Sequence, residues 1–206
     1  MQKIRQRLGN FWYYYKVHTI VAVIVIAILA VLFSQCAAKE SYDYAIVLNM
    51  ATVVEEPTAD LLAGELARFG EDLNGDGAVT IEMINCTYGS NDNVRINQLG
   101  KLQARLTMPE TVLFILDEAS FTNLDAMGLF DRVDGFDAKE GRALSLHGTP
   151  LEAAVQSRYG SVLPTAWYLC VRGYDGNALE GDAKAAVYAE QSMALVSRLM
   201  EAYRAD

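Results

Sequence analysis

Short apolar runs alternate along this chain with segments of helical periodicity. Three runs, at residues 44–50, 79–86 and 111–117, are almost continuously apolar and only seven or eight residues long. This pattern is typical of strands that are buried on both faces of a sheet. A further apolar run at 166–172 predicts a fourth strand.

The segments between these runs predict helices, because their apolar residues recur three or four positions apart. Gly70 and Pro109 end the first two helices, and a long helical pattern covers 181–204. The stretch 131–160 contains Gly135, Gly141, Gly148 and Pro150 in its interior and predicts irregular structure. The apolar positions that carry the periodicity are Leu61, Leu62, Leu66 and Phe69 in the first helix, Val94, Leu99, Leu102 and Leu106 in the second, and Leu124, Met127, Leu129 and Phe130 in the third.

The order strand, helix, strand, helix, strand predicts an α/β fold. Buried strands joined by helices pair in parallel through right-handed crossovers, which place helices on both faces of the sheet. We therefore expect residues 39–206 to form a three-layer α/β/α domain with a mostly parallel sheet.

An uncharged segment of 22 residues, 17–38, precedes this domain. Eleven of the 15 residues in 19–33 are Ile, Val, Leu or Phe. These eleven side chains contribute about −3 to −7 kcal/mol to membrane insertion. A helix of this length covers the hydrocarbon core of a bilayer. The sequence thus predicts one N-terminal transmembrane helix at 17–38, with the lipid bilayer as its partner.

The charges that flank this segment predict its orientation. Residues 1–38 carry four bases and no acid, and an aromatic cluster at 11–15 lies where an interfacial belt is expected. The positive-inside rule places residues 1–16 in the cytoplasm and 39–206 outside the cell, in a single-pass protein of the cell membrane. Two alternatives stay open: a cleaved signal peptide, and a lipoprotein that is modified at Cys36.

The remaining 168 residues have a net charge of −13, because they hold all 26 acids and 13 bases. Nucleic-acid binding depends on clustered Lys and Arg side chains that contact phosphates. The sequence therefore predicts no nucleic-acid partner.

A candidate calcium loop lies before the second strand. Asp72, Asn74 and Asp76 place side-chain oxygens at alternate positions, Gly77 permits the sharp turn, and Ala78 would offer its carbonyl.

The closing position of such a loop, where a bidentate Glu is needed, is occupied by Met83, and Glu82 comes one residue early. A tight turn that leads into the second strand is the alternative, and we favour it. Calcium stays a candidate, and we expect no other cofactor.

A second candidate site is the edge at which the parallel strands end, where open α/β sheets bind ligands. Two adjacent acids, a tyrosine and polar side chains there suit a cationic or sugar-like ligand. The alternative, which we favour, is that the acids cap a helix. The candidate ligand-binding residues are Asn49, Tyr88, Ser90, Asp117 and Glu118.

The sequence predicts no enzyme. It contains no phosphate-binding glycine loop, no nucleophile elbow and no histidine cluster. Cys86 and Cys170 lie in apolar runs, and we expect them to pack as buried thiols in preference to a disulfide.

Residues 42–135 resemble the first lobe of the extracellular solute-binding proteins of ABC importers. The resemblance is carried by a strand that ends in Asp117 and by the segment Leu124-Asp125-Ala126-Met127-Gly128-Leu129-Phe130-Asp131. The chain is also similar to short membrane-anchored proteins of Gram-positive bacteria that begin with an aromatic-Lys run and carry an Asn-Gly-Asp-Gly turn. The first resemblance implies a ligand-binding module.

The chain has room for only one such lobe, and a single lobe encloses a small ligand poorly. We therefore expect a non-catalytic extracellular domain for interaction or assembly at the cell surface, with a protein partner there. A ligand-binding module is the alternative.

Overall fold

A computed structural model gives the conformation of most of the chain. The chain divides into two units, Met1–Ser41 and Tyr42–Asp206. The predicted cytoplasmic head 1–16 and Cys36 lie outside the described residues, which are 17, 18, 20–31, 42–159 and 166–205.

In the first unit, residues 17, 18 and 20–31 are helical, and their side chains are exposed. Among the residues that the structure describes, no helix combines the length and the hydropathy needed to cross a bilayer.

The second unit is built on one five-stranded sheet. Its strands are β1 (Tyr44–Asn49), β2 (Ile81–Asn85), β3 (Thr111–Asp117), β4 (Leu144–Ser145) and β5 (Trp167–Val171). They lie in the order β2-β1-β3-β5-β4. β1 pairs in parallel with both β2 and β3, whereas β5 is antiparallel to β3 and to β4, so four strands share one direction and β5 is reversed.

Helices lie on both faces of this sheet, as the pattern predicts, and each face has its own apolar core. Ile46 and Leu48 of β1 belong to the cluster that also contains Leu62 and Leu199. Val47, the residue between them, belongs to the opposite cluster, together with helical and strand residues. The helices are α1 (Glu56–Ala67), α2 (Asp92–Arg105), α3 (Glu118–Asp125), α4 (Pro150–Tyr159) and α5 (Ala183–Ala205).

The fourth predicted strand, 166–172, is β5, but it runs against its neighbours. A run of apolar residues shows that a strand is buried and says nothing about its direction. The stretch 131–160 is also more ordered than predicted, since it contains a 3₁₀ turn (Lys139–Gly141), β4 and α4. The sheet is thus mixed, with a parallel part formed by β1, β2 and β3.

The third predicted helix is shorter than its apolar spacing indicates. α3 ends at Asp125, and Gly128 turns the chain with a φ of 70°. Met127 is consequently 72% exposed. Phe130 is buried, but it packs from an extended segment, with its ring stacked on that of Phe121 at 5.7 Å.

The second helix buries fewer of its apolar residues than predicted. Only Leu102 of α2 is buried, while Val94 and Leu99 are 38% and 46% exposed. α2 flanks β2, which is the last strand on its side of the sheet. Part of the apolar surface of α2 therefore has no neighbour in the described part of the chain.

We expect a fragment that contains residues 42–206 to fold alone, because both apolar clusters are built from residues of this unit. Thermal unfolding followed by circular dichroism should be cooperative, with mixed helix and strand content. Phe114→Ala, at a position that is 0% exposed, should lower the free energy of unfolding of the fragment by about 3–5 kcal/mol. A broad, non-cooperative transition of the unsubstituted fragment would contradict this prediction.

Candidate functional site

The candidate calcium loop is a tight turn whose side chains bind their own backbone. The two carboxylate oxygens of Asp72 accept hydrogen bonds from the N–H groups of Gly75 at 2.6 Å and Gly77 at 2.8 Å. Gly75 and Gly77 have φ values of 77° and 89°, which favour glycine. Asp72 therefore holds the turn closed across five residues.

Asn74 and Asp76 act in the same way over a shorter distance. Their Oδ1 atoms accept hydrogen bonds from the N–H groups of Asp76 and Ala78, both at 2.9 Å. These contacts are Asx turns, which stabilise a loop without a metal. They support the turn interpretation of residues 72–78.

Glu82, which is next to the closing position at Met83, is already paired. Glu82 lies in β2 and forms a bidentate ion pair with Arg105, at 2.6 and 3.1 Å. Within the described residues, no group of three or more His, Cys, Asp or Glu side chains is arranged to hold a metal ion.

Asp43, which the sequence did not point to, anchors both ends of this loop. Its Oδ1 accepts the N–H groups of Leu73 at 2.7 Å and Asn74 at 3.1 Å. Its Oδ2 accepts the N–H of Thr80 at 2.7 Å and the hydroxyl of the same residue at 3.2 Å. Asp43 thus joins the start of β1 to the whole turn that precedes β2.

The surroundings of Asp43 favour its charged form. Burial alone would raise the pKa of this carboxyl, but the hydrogen bonds from Thr80, Leu73 and Asn74 outweigh burial and lower the pKa below its ordinary value. A carboxylate with four donors around it is a structural anchor, and its oxygens are not free to bind a cation.

Asn49 and Asp117 lie side by side at the carboxyl ends of the parallel strands β1 and β3. Asp117 ends β3, and its Oδ2 accepts the N–H of Ala51, just beyond β1, at 2.7 Å. Its Oδ1 accepts the N–H of Ser120 at 2.8 Å and so caps α3. Asn49 is buried at the end of β1. The capping interpretation of Asp117 therefore fits the geometry.

Tyr88 and Ser90 lie in the segment that follows β2. The N–H of Tyr88 donates to the carbonyl of Met50 at 3.2 Å, which places this segment beside the end of β1. Ser90 is exposed. The backbone of Tyr88 thus lies at the same end of the sheet as Asn49.

Glu118 belongs to a cluster with Lys139 and Tyr168 that the sequence did not predict. One carboxylate oxygen of Glu118 pairs with the amine of Lys139, and the other accepts the hydroxyl of Tyr168 at 2.9 Å. The Lys139 amine also lies 4.9 Å from the ring centre of Tyr168 and 5.5 Å from that of Phe121, within the range of cation–π attraction.

The backbone at Lys139 is in an uncommon conformation. Lys139 and Glu140 have φ values of 52° and 58°, in the left-handed region that few residues other than glycine adopt. The hydrogen bond from Lys139 lowers the pKa of Glu118, and the same bond raises the pKa of Lys139. The ion pair thus holds Lys139 in its charged form, which is unsuited to a general base.

The two cysteines of this unit are free and buried, as predicted. Both belong to the cluster on the α2 and α3 face of the sheet. Burial raises the pKa of the Cys86 and Cys170 thiols. These thiols are therefore poor nucleophiles.

An open groove of about 730 Å³ lies along β2, and no sequence signal pointed to it. Its floor is the outer side of this strand, one wall is the start of α1, and the other wall is α2. The wall residues are Glu56, Ala59 and Asp60 of α1 and Val94, Gln98 and Lys101 of α2.

No protein-family model, no curated protein and no solved structure matches this chain.

Replacing Asp43 with Asn should destabilise the domain. The amide keeps the shape of the side chain but loses the charge and one acceptor oxygen, so we expect a loss of about 1.5–3 kcal/mol at pH 7. Because the pKa of Asp43 is lowered in the folded state, its contribution is present above the unfolded pKa of about 3.9 and disappears as the pH falls through the folded pKa.

Urea unfolding of both proteins at pH 7 and near pH 2 measures this difference, which should shrink at the lower pH. Asp60→Asn, at an exposed position, is the matched control and should change stability by less than about 0.5 kcal/mol. Equal stability of wild type and Asp43→Asn at pH 7 would refute the anchoring role.

Calcium should not raise the melting temperature of the domain. The oxygens of Asp72, Asn74 and Asp76 already accept backbone hydrogen bonds, and Met83 leaves the closing position without a carboxylate. Melting in calcium, in magnesium and with a chelator should give the same midpoint. A bound ion at ten times its dissociation constant would add about 1.4 kcal/mol, or about 3–5 °C. A calcium-specific rise that Asp76→Ala abolishes would establish the metal site.

Proposed function

We propose that this chain is a membrane-anchored, non-catalytic protein whose domain at 39–206 serves interaction or assembly outside the cell. Residues 17–38 are its single-pass anchor in the cell membrane, and the basic head 1–16 lies in the cytoplasm. The support for the anchor is the uncharged run of 22 residues behind a head with a net charge of +4.

The described part of the anchor supports this placement. Residues 20–31 are helical and consist of Ile, Val, Ala and Leu alone. The large side chains among them are 46% to 66% exposed. Lipid would cover such apolar side chains favourably, at about 25 cal/mol for each Å² of apolar surface.

The observation that supports the non-catalytic role is that the acidic side chains at the carboxyl ends of the parallel strands are fully engaged in hydrogen bonds and an ion pair. Both oxygens of Asp117 accept backbone N–H groups, and both oxygens of Glu118 are paired with Lys139 and Tyr168. These acids tie β1, β3, α3 and β5 together. Acids that are held in this way at the strand ends favour the interpretation of the domain as a scaffold for surface interactions over its interpretation as a reaction centre.

A ligand-binding module related to importer binding proteins is the second candidate. The specific observation in its favour is the order β2-β1-β3, which puts a topological switch point between Asn49 and Asp117. At that point, however, the carboxylate of Asp117 already accepts a hydrogen bond from the N–H of Ala51. We therefore prefer the interaction role.

Localisation tests the anchor. Cells that express the chain should retain it in the membrane fraction after a carbonate wash, and protease added outside intact cells should digest residues 39–206. Cys36→Ser should leave retention unchanged, because the apolar helix is the anchor. A soluble mature form that starts near residues 37–39 would refute the anchor, and loss of retention in Cys36→Ser would indicate a lipoprotein.

A further inference from the structure

The outer side of β2 is an unpaired sheet edge. β2 pairs only with β1, and in the described part of the chain no other strand lies on its far side. The opposite edge, β4, is only two residues long. An unpaired strand edge is a template for another strand, because its N–H and C=O groups lack partners.

The hydrogen bonds of β2 show which residues face outward. Thr80 and Cys86, on either side of the strand, bond to β1 through their C=O and N–H groups. In a parallel ladder alternate residues face the same neighbour, so Glu82 and Ile84 also face β1. The backbone groups of Ile81 and Met83 therefore point into the groove.

The end of the strand agrees with this assignment. The outward carbonyl of Asn85 accepts the amine of Lys101 at 2.8 Å, and the N–H of Thr87 donates to the Asn85 side chain at 3.0 Å. The edge is thus closed beyond Asn85. At Ile81 and Met83 it is open, since no described residue outside the sheet bonds to their backbone groups.

The wall of the groove that α1 forms carries two negative charges. Glu56 and Asp60 are four positions apart on α1, exposed, and without an ion pair among the described residues. The carboxylate of Glu82 is already neutralised by Arg105. The wall from α1 therefore favours cationic side chains.

The wall from α2 is mixed, since it presents Val94, Gln98 and Lys101, and the amine of Lys101 is bonded to the carbonyl of Asn85. Val94 is 38% exposed, and Val53, which also lines the groove, is 59% exposed. Successive side chains of a strand point to opposite sides. A strand added along β2 would place one set of side chains against the acidic wall from α1 and the alternate set against the wall from α2, where Val94 is exposed.

We propose that the groove along β2 is a strand-addition site for an extended segment of a partner protein in which Lys or Arg alternates with apolar residues. This inference deepens the proposed interaction role and rests on it. A second copy of the chain fits less well, because a symmetric contact would bring two sets of Glu56 and Asp60 together. Strand addition derives affinity from main-chain hydrogen bonds and specificity from the alternate side chains.

The test uses the full chain in non-ionic detergent micelles and two synthetic peptides at low ionic strength. One peptide alternates Lys with Val over seven residues, and the other alternates Glu with Val. The Lys peptide should bind about tenfold more tightly, since two exposed charge pairs change from attraction to repulsion. Amide hydrogen exchange at Ile81 and Met83 should slow when the Lys peptide binds.

Matched charge reversals locate the binding surface. Glu56→Lys with Asp60→Lys should reverse the preference, so that the Glu peptide binds more tightly. Glu190→Lys with Glu201→Lys, at exposed positions of α5, changes the net charge equally and should keep the preference of the wild type.

Three results would overturn the proposal. The first is no preference for the Lys peptide, and the second is binding without slower exchange at Ile81 and Met83. The third is protection of both amides without peptide in a dimer that sedimentation detects, which would make a second copy the occupant. Membrane retention is measured separately, so failure of the groove and failure of the anchor give different results.

Discussion

The burial of β1 and β3 on both faces is the constraint on which the domain depends. All six residues of β1 and six of the seven in β3 are buried. A central parallel pair of this kind needs helices above and below it, and the crossovers through α1 and α2 supply them on opposite faces. Each large side chain that is fully buried here contributes about 1.5–3 kcal/mol. The identity of the fold is therefore set by the middle of the sheet.

The periphery of the sheet is held by polar contacts instead. At the amino ends of the parallel strands, Asp43 accepts hydrogen bonds from Leu73 and Thr80 and so fixes the loop 72–78. At their carboxyl ends, Asp117 and Glu118 join three strands and a helix. Most of the N–H, amine and hydroxyl donors to these carboxylates lie in distant parts of the chain, and Ser120, which donates to Asp117, is the local exception. They fix loops at both ends of the strands, whereas the outer side of β2 has no strand beside it in the described part of the chain.

The sequence predicted those parts of the structure that depend on residues close together in the chain, and it missed those that depend on residues far apart in the chain. The strands and the long C-terminal helix depend on local apolar spacing, which the sequence displays. The capping role of Asp117 is also local, since Ser120 is three residues away. The contact of Lys139 with Tyr168 depends on chain segments 29 residues apart and on an uncommon backbone conformation, which no short pattern encodes.

The same distinction explains the errors. Phe130 has helical spacing from Leu124 and Met127, but Gly128 breaks the helix and the ring reaches the core from an extended segment. Val94 and Leu99 have the spacing of a buried helix face, yet the sheet ends at β2 and leaves them exposed. Periodicity identifies an apolar surface, and only the tertiary arrangement determines what covers it.

The reactivity of the two buried thiols would report on how the domain opens. Cys170 lies in β5, next to the central strand β3, whereas Cys86 follows directly after the edge strand β2. A thiol reagent reaches a buried cysteine only when the structure around it opens. Alkylation of Cys86 would therefore follow local fraying of the sheet edge, and alkylation of Cys170 would follow opening of the whole domain. Mass spectrometry of the two alkylated sites would separate these motions in the native protein without an engineered cysteine.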